Sequence, residues 1–155
     1  ARLLQYPDVA GPLCEQLASN FANQGITVVV GPAIGAIPLS YEVARVLGVK
    51  SIFAERENGE MTLRRGFEVS PQDKVLVVED VITTGGSVKE VISLMQAKGA
   101  EVVGVGVLVD RSNGKIDFGV PLASLVSIEI ESFEPEQCPL CAEGKIPVVK
   151  PGSRS

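Results

Sequence analysis

Val75-Leu76-Val77-Val78-Glu79-Asp80-Val81-Ile82-Thr83-Thr84-Gly85-Gly86-Ser87 is the run around which the rest of the chain can be read. Four β-prone apolar residues predict a strand buried on both faces, and the adjacent acids Glu79 and Asp80 mark where it leaves the core. The loop from Thr83 to Ser87 brings backbone N–H groups to an anion, because glycine lets the main chain approach and the next helix offers its N-terminus. Taken alone, such a loop would serve equally as an ordinary strand-to-helix connection. The acids shift that balance. Two neighbouring carboxylates repel each other and are costly to desolvate, so they point to a cation or to sugar hydroxyls as partners.

A second loop of the same kind lies upstream. Pro7 to Asn23 read as a helix, with Val9, Leu13, Leu17 and Phe21 spaced four apart along one drifting stripe, and Gly25 ends it. Ile26 to Val30 follow as a β-branched buried strand. Gly31-Pro32-Ala33-Ile34-Gly35-Ala36 then joins that strand to a helix running to about Leu47. Its glycines suit either a tight turn or close approach of the backbone to a ligand. If both loops follow parallel strands, both open on the carboxyl edge of one sheet, where open α/β folds place ligands.

Ser51 to Ala54 predict a third strand, after which the chain turns polar through residue 67, with Asn58-Gly59 as the turn of a mobile β flap. Arg56, Arg64 and Arg65 in this flap either form a solvated face or supply cations for phosphate oxygens. The second reading is favoured, since no other part of the chain groups three arginines so closely. Val88, Val91, Ile92 and Met95 fall at i, i+3, i+4 and i+7 and predict a helix packed on the sheet, closed by Gly99. Val102 to Val109 make another buried strand. Arg111, just beyond it, either pairs with Asp110 or faces a substrate carboxylate. Leu122 to Ile130 contain the last core strand. The alternation predicts an α/β fold, a Rossmann-like parallel sheet with helices on both faces and a β flap.

The whole chain, 155 residues with 45% hydrophobic content, reads as a single domain with a real core. Its net charge of -5, with 14 basic and 19 acidic residues and no basic run, argues against a nucleic-acid partner. Phosphate recognition must therefore be local. The longest apolar stretch, Val28 to Leu39, is broken by Gly31, Pro32, Gly35 and Pro38, so no membrane span is expected. No signal-peptide pattern opens the chain, and a cytoplasmic location is the expectation. Without histidine, and with only Cys14 besides Cys138 and Cys141, a self-contained zinc site is not expected. A tight turn, a disulfide or a metal shared between subunits remain for the Cys138-Pro139-Leu140-Cys141 tail. Residues 151–155 are expected to fray.

The thirteen-residue run resembles the phosphoribosyl diphosphate signature of the type I phosphoribosyltransferases. With the Gly-rich first loop, the flap, Arg111 and the Cys-Pro-Leu-Cys tail in this order, nearly the whole chain resembles the compact bacterial form of the orotate phosphoribosyltransferases. The resemblance implies transfer of ribose 5-phosphate from phosphoribosyl diphosphate to orotate with Mg²⁺, in pyrimidine nucleotide biosynthesis. It implies that Thr83, Thr84, Gly85, Gly86 and Ser87 hold the 5-phosphate, and that Glu79 and Asp80 hold the ribose hydroxyls directly or around the metal. Arg56 and the loop Gly31, Pro32, Ala33, Ile34, Gly35 and Ala36, with a strained or cis non-proline peptide, would hold pyrophosphate. Arg111 would face the orotate carboxylate. Arg64 and Arg65 would act from a flap that reaches over the neighbouring subunit of a homodimer. Two departures stand out: the N-terminal hood segment is expected to be missing before Ala1, as in a fragment or processed product, and the flap has no histidine or lysine. A purine-type phosphoribosyltransferase, or a regulatory protein that binds phosphoribosyl diphosphate without catalysis, are the alternatives.

Overall fold

The computed structural model of the chain describes residues 2–130 and 133–147. Its centre is a six-stranded sheet in the order β3-β2-β1-β4-β5-β6. The strands are β1 (Val28–Pro32), β2 (Lys50–Glu57), β3 (Glu60–Thr62), β4 (Lys74–Ile82), β5 (Glu101–Asp110) and β6 (Leu122–Ser127). All neighbours pair in parallel except β3, which returns antiparallel on β2. The period-2 alternation of a strand divides the apolar residues between two layers. Val28, Val30, Val75, Val77, Val105 and Val107 pack with helix α3 (Gly86–Ala97), through its Val88, Val91, Ile92 and Met95. Val29, Leu76 and Val78 face helices α1 (Pro7–Ser19) and α2 (Ile37–Leu47) on the other side. Covering both faces is why Val75 to Val78 of β4 read as an uninterrupted apolar run.

The element boundaries differ from the sequence expectation in ways the hydrogen bonds explain. α1 stops at Ser19 rather than Asn23, because Ser19 and Asn20 turn their side chains onto the carbonyls of Gln16 and Leu17. The chain then continues in tighter i→i−3 turns to Gln24. Val9 is exposed while Leu17 is buried, since a four-residue spacing drifts by about 40° per step around an α-helix. β1 is displaced to Val28–Pro32, and β2 extends from Lys50 to Glu57. β4 does not end at the acids: it runs on to Ile82, held by β5 through Glu79↔Val107 and Ile82↔Asp110. β6 is shorter than expected, ending at Ser127.

The flap forms the expected hairpin. Asn58 and Gly59 both take positive φ, 52° and 87°, the geometry of a two-residue turn that follows the twist of its strands. In the tail, Cys138 caps the short helix α4 (Pro139–Glu143), its sulfur accepting the Cys141 N–H at 3.4 Å, which is the tight turn among the alternatives. Cys14 is buried beneath α2, and burial together with the Glu42 charge pushes its thiol up to about 11. Among the described residues no helix is long and apolar enough to cross a membrane. The fraying expected at 151–155 lies outside the described residues.

Strand order places the site. The chain leaves β1 toward β2 on one side and later returns to β4 on the other, so the connections diverge between β1 and β4. This is the topological switch point at which open α/β sheets bind ligands. β1 pairs with β2 as far as Pro32↔Ala54 but with β4 only as far as Val30↔Val77, and beyond that pair the two strands part.

Candidate active site

A cleft of 360 Å³ opens where β1 and β4 part. One wall is the first loop, from Pro32 to Gly35, and the other is the end of β4 and the turn into α3, from Glu79 to Val88. The two stretches singled out in the sequence therefore face each other.

Gly31 sets the first wall in place. A Cβ there would lie 2.7 Å from that of Ala36 and 3.1 Å from the Val78 carbonyl oxygen, so only glycine lets the loop turn this tightly against β4. The Ala33 N–H is held by the Ala54 carbonyl at 2.7 Å, and the Ala33–Ile34 peptide is cis. Gly35 sits against the other wall, with the Asp80 carboxylate 3.5 Å from where its Cβ would be.

On the second wall the acids occupy successive strand positions, so they point to opposite faces of β4. Glu79 accepts the Asp80 N–H at 3.1 Å, and Asp80 accepts the Val81 N–H at 2.9 Å. Burial is the main influence on Glu79 and pushes its carboxyl up to about 8. The Asp80 N–H opposes that rise and the Asp80 charge reinforces it. Both residues line the cleft, and carboxyl oxygens are hard donors of the kind that Mg²⁺ and sugar hydroxyls take.

Beyond Ile82 the chain turns through Thr83 and Thr84 to Gly85, whose φ of 72° caps α3. No side chain fills the cap. With the helix dipole behind them, the first-turn N–H groups of α3 form a donor cluster for an anion.

The arginines are placed differently. Arg56 binds the Gly59 carbonyl at 2.8 Å and the Glu90 carboxylate at 2.8 Å. Arg64 lies 3.3 Å from Glu57, and Arg65 grips Glu55 with two bonds of 3.1 and 3.2 Å while its guanidinium sits 5.7 Å from the Phe53 ring centre. The cleft walls contain none of the three. Arg111 donates its backbone N–H to the carbonyl of Ile82, a cleft residue, and the Nε of its side chain is buried with no hydrogen-bond partner among the described residues. It does not pair with Asp110. That carboxylate is engaged by the N–H groups of Ser112 and Gly114 and by the hydroxyls of Ser112 and Ser127.

A phosphoribosyl transferase domain profile matches residues 5–139. Orotate phosphoribosyltransferases from Desulforamulus reducens and Caldicellulosiruptor bescii are 59% and 60% identical over 99% of this chain and 80% of theirs. The chain belongs to the orotate phosphoribosyltransferase family. Among solved structures, orotate phosphoribosyltransferase from Mycobacterium tuberculosis in complex with Fe(III) dicitrate superposes with a TM-score of 0.71 at 27% identity, over 82% of this chain and 77% of that one. Adenine phosphoribosyltransferase from Rhodothermus marinus follows at 0.69 and 25%, over 81% and 83%.

Some residues of this phosphoribosyltransferase site escaped the sequence reading. Val81, Ile82 and Val88 line the cleft, although their apolar character marks them for the core. Asp110 was read only as an option for Arg111, yet it anchors the whole loop after β5. The Asp-x-Ser pattern, in which a short acid bonds the backbone two residues on, was the available signal.

Proposed function

We propose that this phosphoribosyltransferase transfers ribose 5-phosphate from phosphoribosyl diphosphate to orotate, giving orotidine 5′-monophosphate and pyrophosphate. The observation that carries the reading is the meeting, at the switch point, of two carboxylates, the open N-terminus of α3 and the Gly31–Ala36 loop. These are partners for ribose hydroxyls, 5-phosphate and pyrophosphate respectively. The high identity to orotate phosphoribosyltransferases supports orotate as the base.

In the reaction a ring nitrogen of orotate bonds to the anomeric carbon as the carbon–oxygen bond to pyrophosphate breaks, and the nitrogen's proton passes to the leaving pyrophosphate or to water. Positive charge develops on the ribose and negative charge on the leaving group, so the protein's contribution is chiefly position and electrostatics. Glu79 and Asp80 hold the ribose hydroxyls, directly or around the metal. The amides at Thr83–Ser87 anchor the 5-phosphate. Mg²⁺, held around Glu79 and Asp80 and by the substrate, would supply charge neutralisation to the diphosphate. Arg111, which does not pair with Asp110 and whose backbone N–H is tied to Ile82 of the cleft, is proposed to face the orotate carboxylate. Arg64 and Arg65 are proposed to act across a homodimer, and the enzyme to work in the cytoplasm.

Incubation with Mg²⁺, phosphoribosyl diphosphate and orotate, adenine, hypoxanthine or uracil tests the reading. Nucleotide is expected with orotate alone. Turnover on a purine would make this a purine-type enzyme, and tight binding of the diphosphate without turnover on any base would make it a regulatory protein. In the same assay Arg111→Ala is expected to raise KM for orotate about tenfold or more, as for loss of a charge-assisted bond, with KM for the diphosphate little changed.

A further inference from the structure

The turn at Gly85 is fixed from behind as well as from within. A Cβ at Gly85 would lie 2.8 and 2.9 Å from two ring carbons of Phe118 and 3.2 Å from the Ile116 side chain. These residues belong to the connection between β5 and β6, remote in sequence from the loop they touch. Phe118 is buried and packs in the same cluster as Val88 and Ile92 of α3, so its ring is clamped between the helix and the turn that opens it. Phe118 also borders a groove of 300 Å³ formed with Lys89, Ser93 and Gln96.

The same connection begins at Asp110, which holds its first residues by three bonds, from the N–H and hydroxyl of Ser112 and the N–H of Gly114, and it carries Arg111, tied by its N–H to Ile82. The segment thus touches the phosphate wall twice, at Ile82 and at Gly85. We propose that Phe118 is a positioning residue for the 5-phosphate: its ring is the stop against which Gly85 rests, and it aims the first amides of α3 into the cleft. The inference rests on the phosphoribosyl reading of that cleft.

The physical argument is one of direction. Amide donors at a helix start bind an anion well only when they converge on it, and a displacement on the order of 1 Å is costly. Gly85 has no side chain of its own to pack, so its position depends on what presses on it. Removing the ring would take away two of the atoms closest to the Gly85 Cβ position and leave the Ile116 side chain, 3.2 Å from it.

Calorimetric titration with ribose 5-phosphate and, separately, with pyrophosphate tests this on the full chain. For Phe118→Ala a loss of about tenfold in ribose 5-phosphate affinity is expected, with pyrophosphate affinity, which reports the first loop, unchanged. Phe118→Leu, which keeps most of the apolar bulk, should recover most of the loss and guards against misfolding of the alanine variant. Equal loss of both ligands would mean a general structural effect and would overturn the proposal, as would unchanged ribose 5-phosphate binding in both variants. If the unaltered protein binds no ribose 5-phosphate, the phosphoribosyl reading itself fails and this inference with it. Binding that is intact in the parent and indifferent to Phe118 removes only the inference.

Discussion

At the scale of single residues, burial holds the Glu79 carboxyl at about 8, against 4.5 for an ordinary glutamate. Between those values the folded protein retains a proton that the unfolded chain has released. Below pH 4.5 both states are protonated and Glu79 costs nothing. The destabilisation then grows through the interval and is complete above pH 8, where the shift corresponds to roughly 4 to 5 kcal/mol. Glu79→Gln should therefore match the parent in stability near pH 4.5 and exceed it at pH 8 to 9 in urea unfolding, while losing activity. Equal stability of the two proteins at pH 9 would contradict the burial argument.

Among the elements, the loop leaving β5 is held by a single charge, that of Asp110. Burial opposes ionisation of Asp110, yet the Ser112 hydroxyl, the Gly114 and Ser112 N–H groups and the Ser127 hydroxyl outweigh it and hold the carboxyl below its ordinary value. The stability this contributes is present above the ordinary carboxylate pKa and is lost as pH falls through the lowered one. Asp110→Asn should cost about 1.5 to 3 kcal/mol at pH 7, the worth of a hydrogen bond to a charged group. That gap should narrow in acid, which thermal melts at pH 7 and pH 3 would show.

For the molecule as a whole, stability resides in the doubly covered sheet. Leu76 is fully buried between β4 and the helices α1 and α2, and Leu76→Ala should cost about 2 to 5 kcal/mol through the cavity it leaves, measurable as a lower urea midpoint. How much of this was legible in the chain follows from what is local. Val75 to Val78, the α3 stripe and Asn58-Gly59 each announce their element within a few residues, and both walls of the cleft were visible because each is a strand-to-helix turn. The extent of β4 was hidden because Glu79 and Asp80 look like an end, whereas pairing with β5 carries the strand past them. The contact of Phe118 with Gly85 had no local signal, since it joins residues from separate elements. The pairing of Arg56 with Glu90 and of Arg65 with Glu55 is likewise a property of packing, not of spacing.

The parting of β1 from β4 after Val30 and Val77 has a mechanical side. At the height of the cleft these neighbouring strands of the sheet are joined by no ladder of their own, so a molecule that touches the first loop on one wall and the turn into α3 on the other acts there as a rivet between two strand–helix units. Under a force pulling those units apart at that height, such a ligand would carry load that no β1–β4 pairing carries there.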